Sequence, residues 1–377
     1  MIEQDDDLII KANLAHQRAM PMTRLLDCGM GNADATRLHI STSAGEPWDM
    51  VAEAIASERL SQADRAEADG NVVTAGEARQ RGIAALVFAQ MAFNFDEPRK
   101  VELYRQLVAA CRKLAPVFDL PFERVETGFA EKCLVGWLVR PVGGKASGTV
   151  ILFGGQSGWG IAYLPIAREL ARRGLATVLA EGPGQGETRI EQGLYLQAKV
   201  EAAFSRWVDF ISSDPNLGIP GIWGNSYGGL WAARTASSDR RIRACCVNGS
   251  FARPGILPFR TAFEQSAAMV GTQDRATIEA IMESLHLSPE RDRITCPLLV
   301  LHGGADPLVA MDDQQPFLDA ADGEATLHVW PDGEHTIYNH SFERTSLVAD
   351  WFAARLDGRL RGVGNNATFN EETLPGK

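Results

Sequence analysis

Long apolar runs are missing from this sequence. Nowhere in its 377 residues do 18 consecutive apolar side chains occur, so no segment reads as a membrane-spanning helix. Positive charge is also scarce, since 37 Lys and Arg against 48 Asp and Glu leave a net charge of −11. That balance argues against nucleic acid as a partner, because binding phosphates calls for a basic face. The six cysteines (Cys28, Cys111, Cys133, Cys245, Cys246 and Cys296) include no C-x-x-C pair, and no histidine stands at zinc-finger spacing. Neither a disulfide framework nor a metal site is expected, and the thiols read as reduced and mostly buried in a cytoplasmic protein. The start, Met1-Ile2-Glu3-Gln4-Asp5-Asp6-Asp7, lacks the basic segment and apolar core of a signal peptide. The sequons at Asn248, Asn339 and Asn366 are then chance matches. What is present is ordinary for a globular enzyme, with 45% hydrophobic and 23% charged residues. The length suffices for a core of about 250 residues and a further module.

The pattern changes near residue 120. Before it only helical periodicity is evident, over Pro47–Ala66, Thr74–Phe95 and Glu97–Leu114. Thr74-Ala75-Gly76-Glu77 has the form of a capping box, and Glu97-Pro98 suits a first helical turn. From Phe122 strands and helices alternate. Strands are expected at Arg124–Phe129, Leu134–Arg140, Thr149–Phe153, Ala176–Glu181, Gly218–Trp223, Arg243–Asn248, Pro297–His302 and Thr326–Trp330. Helices are expected between them at Tyr163–Arg173, Leu194–Ser212 and Gly228–Ser237, with a last one at Phe342–Leu356. Apolar strands alternating with helices imply an α/β protein with a mostly parallel sheet covered on both faces. The first two strands should form an antiparallel hairpin at its edge. A helical insertion, Leu257–Val270 and Arg275–Leu285, breaks the alternation after the sixth strand, and the polar tail from Gly362 has no periodicity.

Gly224-Asn225-Ser226-Tyr227-Gly228-Gly229 carries most of the functional information. It fits a nucleophile elbow, G-x-S-x-G, in which a strained strand-to-helix turn pushes the serine hydroxyl out of the sheet top. A nucleophilic serine needs a base, and the base an orienting carboxylate. In proteins built around such an elbow these follow in the order Ser, acid, His. Of the aspartates after Ser226, only Asp306 stands just beyond a strongly apolar strand, in His302-Gly303-Gly304-Ala305-Asp306-Pro307. Three histidines come later. His328 lies inside a strand, whereas His335, in Gly333-Glu334-His335, lies past its end and before the last helix. Ser226, Asp306 and His335 are therefore the expected nucleophile, orienting acid and base. The competing readings are a turn aspartate before proline and a surface-loop histidine.

Backbone N–H groups should bind the oxyanion. Tyr227 supplies one, and the loop Phe153-Gly154-Gly155-Gln156-Ser157-Gly158-Trp159-Gly160 the other, from Gln156 or alternatively Gly155. Gly155-Gln156-Ser157-Gly158 mimics an elbow but has Trp159 where the second glycine should be. Gly182-Pro183-Gly184-Gln185-Gly186 lacks the spacing of a dinucleotide site and reads as the turn after the fourth strand.

Together the motifs Gly154-Gly155, Glu181-Gly182-Pro183-Gly184-Gln185-Gly186, Gly224-Asn225-Ser226-Tyr227-Gly228-Gly229, His302-Gly303-Gly304-Ala305-Asp306-Pro307 and Gly333-Glu334-His335 resemble those of α/β-hydrolases with an N-terminal helical cap. The chain is similar to the family of 2,6-dihydroxypseudooxynicotine hydrolase, related polyketide-shortening hydrolases and fermentation-respiration-switch-type esterases. Trp48–Glu77 resembles the family's cap. The resemblance implies an α/β-hydrolase fold with a cap over residues 1–120. The core would run from 121 to 358 with a helical insertion at 251–292, and a flexible tail would occupy 359–377. It also implies a Ser226-Asp306-His335 triad that needs no cofactor and attacks a small-to-medium aromatic or polyketide-like ester or ketone. Some members cleave a carbon–carbon bond beside a ketone, which requires a further acid, and the natural source is the inserted segment. There Phe251–Ser266 offers a single carboxylate, Glu264, alongside Arg253 and Arg260. Glu264 is either that acid or part of a solvated helix face. Trp159, Arg260 and Glu264 are the candidate substrate contacts. Amide cleavage, and a non-catalytic receptor on the same fold, are the alternatives. A small molecule is the expected partner, and a homodimer the expected assembly.

Overall fold

The computed structural model describes residues 2–258 and 260–357, so the expected tail, 359–377, lies outside the described residues. Six helices come first: α1 (Ile2–Ala19), α2 (Met22–Asp27), α3 (Asn32–Ser43), α4 (Trp48–Ala68), α5 (Val72–Gln90) and α6 (Pro98–Leu114). Then follow β1 (Phe122–Phe129), β2 (Lys132–Val139), β3 (Gly148–Phe153), α7 (Leu164–Ala171), β4 (Leu175–Ala180), α8 (Gly186–Ile190) and α9 (Val200–Ser213). β5 (Ile219–Asn225), α10 (Tyr227–Ser238) and β6 (Cys245–Asn248) lead to the inserted α11 (Arg260–Val270) and α12 (Arg275–Ser284). The chain closes with β7 (Leu298–Gly303), α13 (Gln315–Asp319), β8 (Ala325–Trp330) and α14 (Ser341–Leu356).

The eight strands form one sheet in the order β1-β2-β4-β3-β5-β6-β7-β8. β1 and β2 pair as an antiparallel hairpin, β2 runs antiparallel to β4, and every remaining pairing is parallel. The strands β3, β4 and β7 are buried at every residue, as a sheet covered on both faces requires. Side chains alternate between the two faces. Val150 and Leu152 join one core with α7, α14 and the N-terminal helices, whereas Ile151 and Phe153 join the other with α9 and α10. Leu38, Trp48, Ile83 and Leu107 of the N-terminal helices share the first core with Trp223 and Leu299 of the sheet. These helices are continuous with the molecule's interior.

Helices α1–α3 lie outside the three helical patterns read from sequence. The capping box at Thr74–Glu77 is not formed. α5 starts two residues earlier, after Asn71, and Asn71 makes no side-chain cap bond. The start is set by the preceding turn, where Gly70 sits at φ +77° and Asn71 N–H donates to the Ala66 carbonyl. That six-to-one bond closes α4 as a glycine C-terminal motif does. At α6 the expectation holds, with Glu97 preceding the helix and Pro98 at its first position.

Candidate active site

The elbow at the end of β5 forms because nothing but glycine fits at its flanks. A Cβ on Gly224 would lie 2.0 Å from the Gly228 carbonyl oxygen, and one on Gly228 2.6 Å from that of Gly154. Between them Ser226 takes φ 57° and ψ −134°, a conformation that non-glycine residues adopt only when their surroundings enforce it. Here Ser226 N–H donates to the Asn248 carbonyl, and the Asn248 amide donates to Asn225 Oδ1 and to the Thr336 carbonyl. The turn that carries Ser226 is thereby tied to the backbone beside His335.

His335 Nε2 lies 3.0 Å from Ser226 Oγ, and its Nδ1 lies 2.7 Å from Asp306 Oδ2. The Asp306 side chain is wholly buried. Its Oδ1 accepts from the N–H groups of Leu308 (2.8 Å) and Val309 (3.2 Å), which fixes the carboxylate in the plane that meets the imidazole. With Nδ1–H donated to Asp306, Nε2 is left to accept the serine proton. The two loops are laced together, since Gly304 N–H donates to the Trp330 carbonyl and Ala305 N–H to that of Gly333. Directly after His335, Thr336 and Ile337 hold left-handed φ values of 54° and 62°. Arg344, buried in α14, donates to the Thr336 carbonyl and to Asp27 of α2. His328, the rejected base, is half-buried in β8 against the Trp330 ring.

The loop after β3 lies against the elbow. A Cβ on Gly155 would stand 2.7 Å from the Tyr227 nitrogen, so only glycine allows this approach. Tyr227 opens α10, where a helix N–H has no partner within the helix. Its phenol donates to the Gly255 carbonyl and its ring meets Phe251 edge-on. The Gln156 side chain donates to Ser266 Oγ of α11, and its carbonyl accepts from Trp159 Nε1.

The structure places the three candidate substrate contacts differently. Trp159 is buried, with Lys100 and Arg189 over its ring at 4.7 and 4.8 Å and Tyr104 edge-on. Glu264 is partly buried and accepts from Asn94 of the N-terminal region at 2.8 Å, besides pairing with Arg260. The Arg260 side chain is 82% exposed. Sequence reasoning missed the contacts that α2 makes around the site: Thr23 Oγ1 donates to Glu334 beside His335, and Arg24 donates to Ser157 Oγ. No periodic signal marks them. A cleft of about 770 Å³ between α5 and α7, lined by Gln80, Arg168 and Pro165 among others, contains none of these residues. All six cysteines are free. Burial pushes the Cys28 thiol up to about 12, and those of Cys111, Cys245 and Cys246 well up, which disfavours a thiolate at these four.

Glu181, at the end of β4, is buried and accepts from Tyr104 of α6 at 2.5 Å and from Glu187 N–H at 2.6 Å. Burial pushes its carboxyl up to about 7, against the Tyr104 hydrogen bond that favours the anion. Tyr104 and Cys111 of α6 and Glu187 of α8 face it, and Glu187 in turn pairs with Arg124 of β1. Because the folded value lies above the unfolded 4.5, the folded state binds the extra proton. The neutral carboxyl's contribution is complete below the unfolded value and is lost as pH rises through about 7. Glu181→Gln therefore gains stability relative to the parent across that window, by about 3 kcal/mol. Urea unfolding of both proteins over the window checks this, and a pH-independent difference contradicts it.

Among the described residues no three His, Cys, Asp or Glu side chains converge as a metal would need, and no helix is long and apolar enough to cross a membrane. A family model described as serine aminopeptidase, S33, matches residues 258–341, which include Asp306 and His335. Among curated proteins, the chain is 28% identical over 312 residues to 2,6-dihydropseudooxynicotine hydrolase of Paenarthrobacter nicotinovorans, covering 79% of this chain and 81% of that one. It is 30% identical over 161 residues to the alpha/beta hydrolase ucsC of Acremonium sp, covering 39% of this chain and 32% of the other. The solved structure of 2,6-dihydroxy-pseudo-oxynicotine hydrolase shares the fold with a TM-score of 0.79 at 24% identity, over 89% of this chain and 95% of that one.

Proposed function

We propose, from the premise that the chain is a hydrolase of the α/β-hydrolase superfamily, that Ser226, His335 and Asp306 form its catalytic triad. The observation that carries this reading is the unbroken line from Ser226 Oγ through His335 to Asp306, at 3.0 and 2.7 Å, on a strained elbow. Ser226 attacks the carbonyl carbon of an ester or ketone as its proton passes to His335 Nε2. Asp306 holds the imidazole in the accepting tautomer and offsets the charge it gains. Tyr227 N–H and that of Gln156 or Gly155 receive the oxyanion. His335 then protonates the leaving group, and water attacks the acyl-enzyme by the same route in reverse.

We assign residues 1 to about 120 as a cap on the catalytic end of the sheet and 251–292 as a second wall. The support is contact at that end: Thr23 with Glu334, Arg24 with Ser157, Asn94 with Glu264 and Tyr104 with Glu181. The substrate is a small-to-medium aromatic or polyketide-like molecule enclosed between them. Carbon–carbon cleavage beside a ketone is the second reading. It is favoured by similarity to a 2,6-dihydropseudooxynicotine hydrolase and by Glu264, a partly sheltered acid facing the cap rather than a solvated one.

A fluorophosphonate is expected to label Ser226. A panel of aryl esters, aryl amides and β-diketones then separates ester, amide and carbon–carbon cleavage. Absence of both label and turnover would sink the enzymatic reading.

A further inference from the structure

The motif Glu181-Gly182-Pro183-Gly184-Gln185-Gly186, which the sequence reads as a turn, holds one fully buried amide. Gln185 has no exposed surface. Its Oε1 accepts from Gly182 N–H at 2.9 Å, and its Nε2 donates to the carbonyls of Gly154 (2.7 Å) and Gly155 (2.9 Å). Both amide hydrogens and the amide oxygen are used. The opposite amide orientation would set an oxygen against two carbonyl oxygens and an NH2 against an N–H, so the surroundings decide the assignment.

What this does to the loop follows from peptide geometry. All described peptide bonds are trans, and in a trans peptide the C=O and the following N–H point in opposite directions. Holding the Gly155 carbonyl toward Gln185 therefore turns the Gln156 N–H to the other side. Holding the Gly154 carbonyl does the same for the Gly155 N–H. These are the two groups between which the second oxyanion donor has to be chosen, and Gly155 abuts the Ser226–Tyr227 turn. Were either peptide to flip, a carbonyl oxygen would face the developing negative charge. Without the Gln185 amide the two carbonyls would be buried without its two hydrogen bonds, a cost that a peptide flip would partly relieve.

We propose that Gln185 is the positioning residue of the oxyanion hole, its side-chain amide presetting the Gly155 and Gln156 N–H groups for the oxyanion formed on Ser226. The inference rests on the reading of Ser226 as nucleophile. It assigns to the glycine-rich turn a part in catalysis: Gly184, at φ +86°, and Gly186, at φ +45°, fold the segment so that the Gln185 side chain reaches a loop some thirty residues away in sequence. The preorganised dipole acts only on the transition state, so its loss shows in turnover and not in substrate binding.

The test is Gln185→Met, which keeps length and apolar bulk but removes both donors, assayed with an aryl ester and normalised to fluorophosphonate-titrated sites. The expected result is a fall in kcat/KM of about 10²-fold, carried by kcat, with KM little changed. The affinity for an aryl trifluoromethyl ketone, whose adduct with serine bears an oxyanion, should fall by a similar factor. A per-site kcat/KM within about threefold of the parent, or unchanged ketone affinity, overturns the proposal. If Gln185→Met does not fold, the ketone adduct of the unaltered protein decides the matter. Its oxyanion should lie about 2.7–3.1 Å from the Gly155 or Gln156 nitrogen, and an oxyanion bound elsewhere overturns the proposal. Ser226→Ala separates the two levels. If Ser226→Ala is inactive while Gln185→Met is unimpaired, this inference alone fails, and if Ser226→Ala stays active the nucleophile reading fails with it.

Discussion

Ser226→Ala is expected to lower kcat by on the order of 10⁴-fold or more while leaving the folded protein intact. The size follows from the proposed triad acting as a unit: without Oγ there is no acyl-enzyme, and His335 has no serine proton to accept. What survives is the binding energy of the pocket and the oxyanion donors acting on water. Stability should scarcely change, because Ser226 is only partly buried and its Oγ makes one bond, to His335. The serine's left-handed φ of 57° is strained for alanine as well as for serine, so the strain persists in both. Active-site titration and turnover of the purified variant check the result. Substantial residual turnover with an unaltered unfolding midpoint would remove Ser226 from its role.

Arg344→Met is expected to produce the largest loss of stability, about 3–5 kcal/mol. Arg344 is 1% exposed, and its guanidinium bonds Asp27, Thr345 and the Thr336 carbonyl. Asp27, 7% exposed, would be left as a buried carboxylate without its counter-charge. Removing one member of such a pair costs far more than the pair itself contributes, because the remaining charge stays desolvated. The double variant Arg344→Met/Asp27→Leu should therefore be more stable than Arg344→Met alone, and urea unfolding of the parent, Arg344→Met, Asp27→Leu and the double variant measures the coupling. Activity should fall too. Thr336 and Ile337 hold left-handed backbone beside His335, and Arg344 is one of two donors fastening the Thr336 carbonyl. A loss of less than about 1 kcal/mol would show that Asp27 finds water or another partner.

The core was legible where the information is local. The central strands β3 to β7 were read within a few residues because a strand buried on both faces is a short apolar run between turns. The elbow glycines, Asp306 after β7 and His335 after β8 were legible for a related reason: their places are set by strand ends. Helices α1–α3 were not. α3 buries only Asp34, Ala35, Leu38 and Thr42, two of them polar, so no apolar stripe announces it. The start of α5 was misplaced because Gly70 and the Asn71 bond to Ala66 outweigh a favourable Thr-x-x-Glu spacing.

By itself the sequence determined the alternation of strands and helices, the order Ser226, Asp306, His335, and the glycines without which the elbow cannot close. Those features depend on propensity, period and steric exclusion, all of which act over a few neighbouring residues. Only the tertiary structure decided which residues support them. Gln185 meets Gly154 and Gly155 across about thirty residues, Asn94 meets Glu264 across 170, and Thr23 meets Glu334 across 311. Such contacts come from the packing of whole elements in a shared core, where a polar side chain finds its partner because burial leaves it no water.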